Sequence, residues 1–309
     1  MTRTEHADPL VTASKTVEQR DVVLHGRRVS YWQRGELDGG ASPIVFLHGL
    51  ASSSATWLGI LDRLPSDLVS IAVDLAGHGR SDRGPQDYTL AGHANIVRDL
   101  LGAIGVERAT FVGHSYGGGV AMQLVYQCPG LCERLVLVSS GGLGAEVSWK
   151  LRLLSLPGAE LVLPIIGQSL VRDTGDAICE QMGKIGIGSP RLQQSWSAFS
   201  TLSHPDNRAS FLRTLRGVIG PSGQVLSATD RLHLAADIPT LIVWGAQDTT
   251  IPVTHAQVAH DHLPNSELLI LTGSSHFPHH EQPQEFVDAL SNFMSRTPAS
   301  DEPAIAERP

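Results

Sequence analysis

The chain has 309 residues, of which 41% are hydrophobic and 17% charged, enough apolar side chains for a sizeable core and too many for a disordered chain. Its 23 Lys and Arg against 31 Asp and Glu leave a net charge of −8, which excludes a nucleic-acid binder, because phosphate contacts need a clustered basic excess. No stretch approaches the roughly 20 apolar residues of a membrane-spanning helix, and the best run, Leu161 to Ile166, contains Pro164. Met1 to Arg20 has no apolar core of a secretory signal, so the expected setting is the cytoplasm. The three cysteines, Cys128, Cys132 and Cys179, have no zinc-ligand spacing and read as reduced thiols rather than as a Cys128–Cys132 disulfide.

Residues 1–18 lack periodicity and read as a tail. Asp21–Leu24 and Arg28–Gln33, bridged by His25-Gly26-Arg27, form the expected opening hairpin. Short apolar runs follow at Ile44–Leu47, Leu68–Val73, Ala109–Val112, Leu135–Val138, Thr240–Val243 and Leu268–Leu271, each ending in Gly, Asp, Ser or another turn-forming residue. Continuous runs of this length suit strands buried on both faces of a parallel sheet. Helical patterns lie between several of them, at Leu90–Ile104, Gly117–Gln127, His255–Leu263 and Pro283–Met294. Strands alternating with helices predict a mostly parallel, doubly wound α/β sheet. From Gly144 to Leu232 no strand-like run occurs, only helical stretches punctuated by Pro and Gly. The expected organisation is a core of residues 19–143 and 233–296, an inserted helical lid at 144–232, and a second tail at 297–309.

The sharpest motif is Gly113-His114-Ser115-Tyr116-Gly117, which follows one strand and opens a helix. A G-x-S-x-G at such a turn holds the serine in a tight bend at the carboxyl edge of the sheet, a context that a chance match in a glycine-rich turn would lack. A serine hydroxyl needs a base, and the base needs a partner to fix its tautomer. Asp248 in Gly245-Ala246-Gln247-Asp248 and His276 in Gly273-Ser274-Ser275-His276-Phe277 both lie just past strands, in the chain order nucleophile, acid, histidine. His279 and His280 are the alternative bases. Oxyanion donors are expected from the backbone N–H of Tyr116 and of Leu50, the latter in the loop after Ile44–Leu47.

Together, His48-Gly49-Leu50, Asp74-Leu75-Ala76-Gly77-His78-Gly79-Arg80-Ser81, the Ser115 turn, Gly245-x-x-Asp248 and His276-Phe277-Pro278-His279 resemble the α/β-hydrolase superfamily over roughly residues 20–296. Within it the chain is similar to lid-bearing serine hydrolases: small-molecule esterases, C–C hydrolases of aromatic degradation, and the hydrolase-like domains associated with acetoin dehydrogenase. Ser139-Ser140-Gly141-Gly142-Leu143-Gly144 and Ile251-Pro252 with His255-Ala256-Gln257 lean toward the last group. Three departures stand out. The nucleophile position is Ser rather than the Asp of haloalkane dehalogenases and epoxide hydrolases. His114 stands where the C–C hydrolases usually have Asn, and Ser275 where many relatives have Gly.

Other residues read as structural. His48, His78 and His114 belong to turns, and Asp74 is expected to tie down a loop. His255, His260 and His262 do not share a helix face and no H-E-x-x-H occurs, so no metal is implied; Gly183–Gly188 follows no strand, so no nucleotide cofactor is implied either. The expected activity is therefore cofactor-independent hydrolysis of an ester or related acyl bond of a small, largely apolar molecule by Ser115, Asp248 and His276. The alternatives are C–C bond hydrolysis of a vinylogous diketone and, in a different class, a hydrolase-fold ligand-binding protein. The lid carries nine basic and seven acidic residues, a balance of +2 that demands no anionic substrate. Its apolar residues Leu151, Leu153, Leu154, Leu161, Val162, Ile165, Ile166, Trp196 and Phe199 favour an apolar one.

Overall fold

The structure is a computed structural model that describes residues 16–37, 42–166, 181, 196 and 200–297. Cys179, Gly183–Gly188 and Phe199 lie outside the described residues, as do the side chains of Ile165 and Ile166. Ten strands are present among the described residues: β1 (Val17–Leu24), β2 (Arg27–Arg34), β3 (Ile44–Leu47), β4 (Ser70–Val73), β5 (Ala109–His114), β6 (Cys132–Val138), β7 (Ile219–Gly220), β8 (Gly223–Gln224), β9 (Thr240–Gly245) and β10 (Ser266–Leu271). Eight of them form one sheet in the order β1-β2-β4-β3-β5-β6-β9-β10. Only β2 runs against its neighbours; every pairing from β4 to β10 is parallel. The predicted doubly wound α/β sheet is the fold observed.

Alternation along each strand splits the core in two. Val45, Leu47, Ile71, Val73, Phe111, Leu135, Leu137, Ile242 and Trp244 pack on one face, against the helices Leu90–Ala103, Tyr116–Gln127 and Thr254–His262. Ile44, Phe46, Ala72, Val112, Val136, Val138, Leu241 and Val243 pack on the other. That second layer is closed by Trp57–Leu61 and by Phe286, Val287, Leu290 and Phe293, a stripe at helical spacing along Pro283–Arg296. Burying each such side chain contributes about 1.5–3 kcal/mol.

One boundary and one element differ from the sequence expectation. β1 begins at Val17, whose partner is Arg34, so strand pairing reaches into the stretch expected to be a tail. Among its described residues the segment between β6 and β9 is mostly helical, with helices Trp149–Ser155, Ala159–Ile166 and Pro205–Val218, but it also holds the β7–β8 hairpin. Its turn, Gly220-Pro221-Ser222-Gly223, has Pro and Gly at the positions a tight turn favours, and Gly223 has φ +135°. Strands of two residues carry no periodicity to read. Cys128 and Cys132 are free thiols, as expected. No helix among the described residues is long and apolar enough to cross a membrane.

The topology fixes where a ligand can bind. From β3 the chain passes to β4 on one side and then returns to β5 on the other, so the order reverses between β3 and β5. Open α/β sheets bind ligands in the crevice at the carboxyl ends of the strands flanking such a reversal. Asp74, just past β4, ties this edge together as expected: its buried carboxylate accepts from the Ser54 N–H and hydroxyl (both 2.7 Å) and from the Arg80 N–H (2.8 Å). We therefore expect Asp74→Ala to orphan these donors and lower stability by about 2–4 kcal/mol in urea unfolding. A change below about 0.5 kcal/mol would mean that the loops hold without it.

Candidate active site

β5 delivers Ser115 into the crevice. Its backbone lies at φ 53°, ψ −116°, outside the regions a non-glycine residue normally occupies, which costs of order 1–3 kcal/mol. The surroundings hold it there. The Ser115 N–H donates to Val138 O (2.9 Å), and its carbonyl accepts from the N–H groups of Gly118 (3.1 Å) and Gly141 (2.9 Å). The bend is possible only because the chain passes so closely: a Cβ on Gly113 would lie 2.3 Å from Gly117 O, and one on Gly117 the same distance from Leu47 O.

The structure brings together the three residues that the sequence singled out. The His276 Nδ1–H donates to Asp248 Oδ2 at 2.8 Å, which leaves Nε2 to accept from the Ser115 hydroxyl at 3.1 Å. The Asp248 side chain is fully buried, and its other oxygen accepts from the N–H groups of Thr250 (2.8 Å) and Ile251 (2.9 Å). The two alternative bases are placed elsewhere. His279 is stacked on Trp57 at 4.4 Å, and His280 is bonded to the Thr56 hydroxyl at 2.6 Å. Leu50 and Tyr116 both line the pocket over Ser115. Tyr116 opens the helix Tyr116–Gln127, so its N–H has no intrahelical acceptor.

That pocket is a cavity of about 40 Å³, room for about three water molecules, walled mainly by apolar residues such as Leu90, Val147, Leu151, Val218 and Ile251. Val147, Leu151, Val218 and Ile219 come from the segment between β6 and β9, which covers the crevice. Gln224 on β8 is a polar lining residue that sequence reasoning missed. Its Oε1 accepts from the Gly142 N–H (2.7 Å), and its Nε2 donates to Glu146 O (3.2 Å). Glu281 was missed as well, although it contacts the loop that carries His276. No local pattern marks either residue: Gln224 acts on residues about 80 positions away, and Glu281 acts through backbone N–H groups. Among the described residues no group of His, Cys, Asp and Glu is arranged to hold a metal ion.

With this geometry in view, the comparison with known proteins is specific. The profile of the alpha/beta hydrolase family matches residues 44–289. The chain belongs to this family. It is 41% identical over 287 residues to an uncharacterized protein of Mycobacterium tuberculosis, spanning 90% of this chain and 84% of that one. It is 30% identical over 273 residues to the dihydrolipoyllysine-residue acetyltransferase component of the acetoin cleaving system of Cupriavidus necator, covering 88% of this chain and 67% of that protein. Among solved structures, the esterase RhEst1 from Rhodococcus sp. ECU1013 superposes with a TM-score of 0.67 at 26% identity, over 91% of this chain and 99% of that one.

Six further histidines of the hydrolase, His48, His78, His93, His114, His279 and His280, are buried and held neutral. His48 accepts from the Leu75 N–H at Nε2 (3.1 Å) and donates from Nδ1 to Gly49 O (2.8 Å), joining the loops after β3 and β4. Burial pushes it down to about 4. Burial, reinforced by neighbouring imidazoles, pushes His78 and His93 to about 3 and holds His114 and His279 well below the ordinary range; burial alone brings His280 to about 4. Above the unfolded-state value of about 6.5 this costs nothing. As pH falls below it, the unfolded chain takes up protons that the folded chain refuses, and each such histidine costs up to about 1.4 kcal/mol per pH unit until its folded value is reached. Urea unfolding should therefore give a flat free energy above about pH 7 and a steep decline between about 6.5 and 5, before carboxylates contribute. His279→Phe should make that decline shallower by about one proton; an unchanged slope would remove His279 from the account.

Proposed function

We propose that this hydrolase is a cofactor-independent serine enzyme that cleaves an ester or related acyl bond of a small, largely apolar molecule. The observation that carries the reading is the continuous relay from Asp248 through His276 to Ser115, on the floor of an apolar pocket. Ser115 Oγ attacks the carbonyl carbon while its proton passes to His276 Nε2. Asp248 keeps Nδ1 protonated and stabilises the imidazolium as it forms. The N–H groups of Leu50 and Tyr116 receive the oxyanion, at the positive end of the helix Tyr116–Gln127. His276 then returns the proton to the leaving group, and a water that it activates releases the acyl group from Ser115. No step calls for a metal or cofactor. The likeness to an esterase at 26% identity supports the same chemistry, and the free thiols Cys128 and Cys132 fit a reducing, cytoplasmic setting.

In this reading, residues 19–143 and 233–296 form the catalytic core and residues 144–232 the lid. The lid supplies the apolar wall that selects the acyl group. Each methylene it buries contributes about 0.8 kcal/mol, or roughly fourfold in affinity.

Variant kinetics, pH dependence, chelation, active-site labelling and substrate comparison test the assignment. Ser115→Ala and His276→Ala should each lower kcat by several orders of magnitude in folded protein, and Asp248→Asn by about 10³–10⁴-fold, because it favours the wrong histidine tautomer. kcat/KM should fall toward acid pH, where a protonated base cannot accept the Ser115 proton, and dialysis against a chelator should leave it unchanged. A fluorophosphonate that fails to label Ser115 would return the chain to a binding role, and faster turnover of a vinylogous diketone than of aryl esters would make it a C–C hydrolase. A p-nitrophenyl ester series should show butanoate or hexanoate preferred over acetate by about tenfold or more in kcat/KM. Equal rates would mean that the lid does not select by apolar contact.

A further inference from the structure

We propose that Glu281 is a positioning residue for His276: it clamps the backbone on both sides of the histidine and thereby sets the imidazole between Ser115 and Asp248. The inference rests on His276 being the base, as proposed above. His276 sits in the irregular link between β10 and the short helix Pro278–Glu281, where no ladder of helix or sheet bonds fixes the chain. A loop left to itself would not hold an imidazole to a fraction of an ångström, and misplacement by about 1 Å can cost about 10²-fold in rate.

Glu281 supplies what the link lacks. Its Oε2 accepts from the Ser275 N–H (3.1 Å), and its Oε1 accepts from the Phe277 N–H (3.3 Å) and from the Ser275 hydroxyl (2.6 Å). The residues immediately before and after His276 are therefore held by one carboxylate. The carbonyl of His276 itself accepts from His114 Nε2–H at 2.8 Å. Three consecutive residues thus each carry a fixed polar bond.

The same link is tied to its partner turn. The Gln247 N–H donates to Ser274 O (2.9 Å), and a Cβ on Gly245 would lie 2.0 Å from Ser275 O. The turn that carries Asp248 is thus packed against the link that Glu281 holds. The clamp also gives Ser275 a role that glycine cannot fill, since only a side-chain hydroxyl supplies the 2.6 Å bond to Glu281. The titratable groups that face the His276 ring or its link are Asp248 from the turn after β9, His114 from the end of β5, and His279 and Glu281 from the helix that follows.

The test compares Glu281→Ala, Glu281→Gln and Ser275→Ala with wild type and with His276→Ala. It uses kcat and KM on a p-nitrophenyl ester across pH 5 to 9, fluorophosphonate labelling of Ser115, and circular-dichroism melts to establish folding. Glu281→Ala should lower kcat by about thirtyfold or more with KM changed by less than about threefold, and labelling should slow in parallel. Glu281→Gln keeps an acceptor oxygen and should recover about tenfold of that loss. Ser275→Ala leaves the Glu281 carboxylate in place and should cost about three- to tenfold in kcat. It should also move the acid limb of kcat/KM down by about half a pH unit, because a displaced imidazolium loses part of its contact with Asp248. A merely structural role would leave that limb unmoved. Wild-type kcat in Glu281→Ala, a loss confined to KM, or a Gln variant no better than Ala would overturn the clamp. Should Glu281→Ala fail to fold, Glu281→Gln and Ser275→Ala decide by the same criteria. Turnover surviving in His276→Ala would instead overturn the assignment of the base. An inactive His276→Ala beside fully active Glu281 and Ser275 variants overturns the clamp alone.

Discussion

The close approach of backbone to backbone where the strand order reverses is the constraint on which this molecule depends. Ser115 leaves β5 with φ at +53°, and no side chain could be added at Gly113 or Gly117 without meeting a carbonyl oxygen. A Cβ on Gly118 would likewise lie 2.1 Å from Ser140 Oγ, so the helix behind the bend, the loop after β3 and the loop after β6 are fitted into one another. The local strain persists because neighbouring elements over-determine the bend: Val138, Gly118 and Gly141 all bond the Ser115 backbone. Protein interiors are close-packed, so a conformation fixed in this way is not free to relax when a ligand arrives.

The strands were legible because they are buried on both faces. Val136 and Leu137 point into different core layers yet both must be apolar, which yields the continuous run that marks a parallel strand. The Ser115 turn, Asp248 and His276 were legible for a related reason: each lies directly after such a run, so their shared edge follows from strand direction alone. The distances between them did not follow. Nothing local separates His276 from His279 and His280, three candidate bases within five residues, until the fold turns one toward Ser115 and stacks another on Trp57. β7 and β8 were not legible, because two-residue strands have no period, and with them went Gln224. Glu281 was hidden differently: its carboxylate bonds the backbone four and six residues earlier, and no residue-type pattern records that.

The histidines illustrate how one residue type is divided between two tasks by environment. His48 and His114 are held as neutral hydrogen-bonding groups, each donating to a backbone carbonyl, and burial removes the protonated form from reach. His276 differs in having a buried carboxylate at Nδ1 and a hydroxyl at Nε2, so a proton arriving at one nitrogen is compensated at the other. The same low-dielectric packing that makes a charged His114 costly strengthens the Asp248 contact once His276 is charged. A histidine within ring contact of His276, at 5.0 Å between centroids, must stay neutral for that arrangement to work, since a second positive charge there would oppose the imidazolium.

This division has a consequence for how the segment between β6 and β9 meets the core. That segment touches the site at two levels. Apolar side chains such as Val147, Leu151 and Val218 wall the cavity, and they can slide or repack with little directional penalty. Polar bonds anchor its base: the Ser148 N–H donates to Thr250 O (2.8 Å), in the turn that carries Asp248, and Gln224 bonds the loop whose Gly141 N–H holds the Ser115 carbonyl. Hydrogen bonds are directional and costly to leave unmade when buried, so the anchored base is the stiffer part. The wall above Ser115 can thus repack while the bonds to the Asp248 turn and to the loop after β6 stay in place. The cavity wall and its anchored base are held by different kinds of interaction in one continuous segment, and a change in the first need not disturb the second.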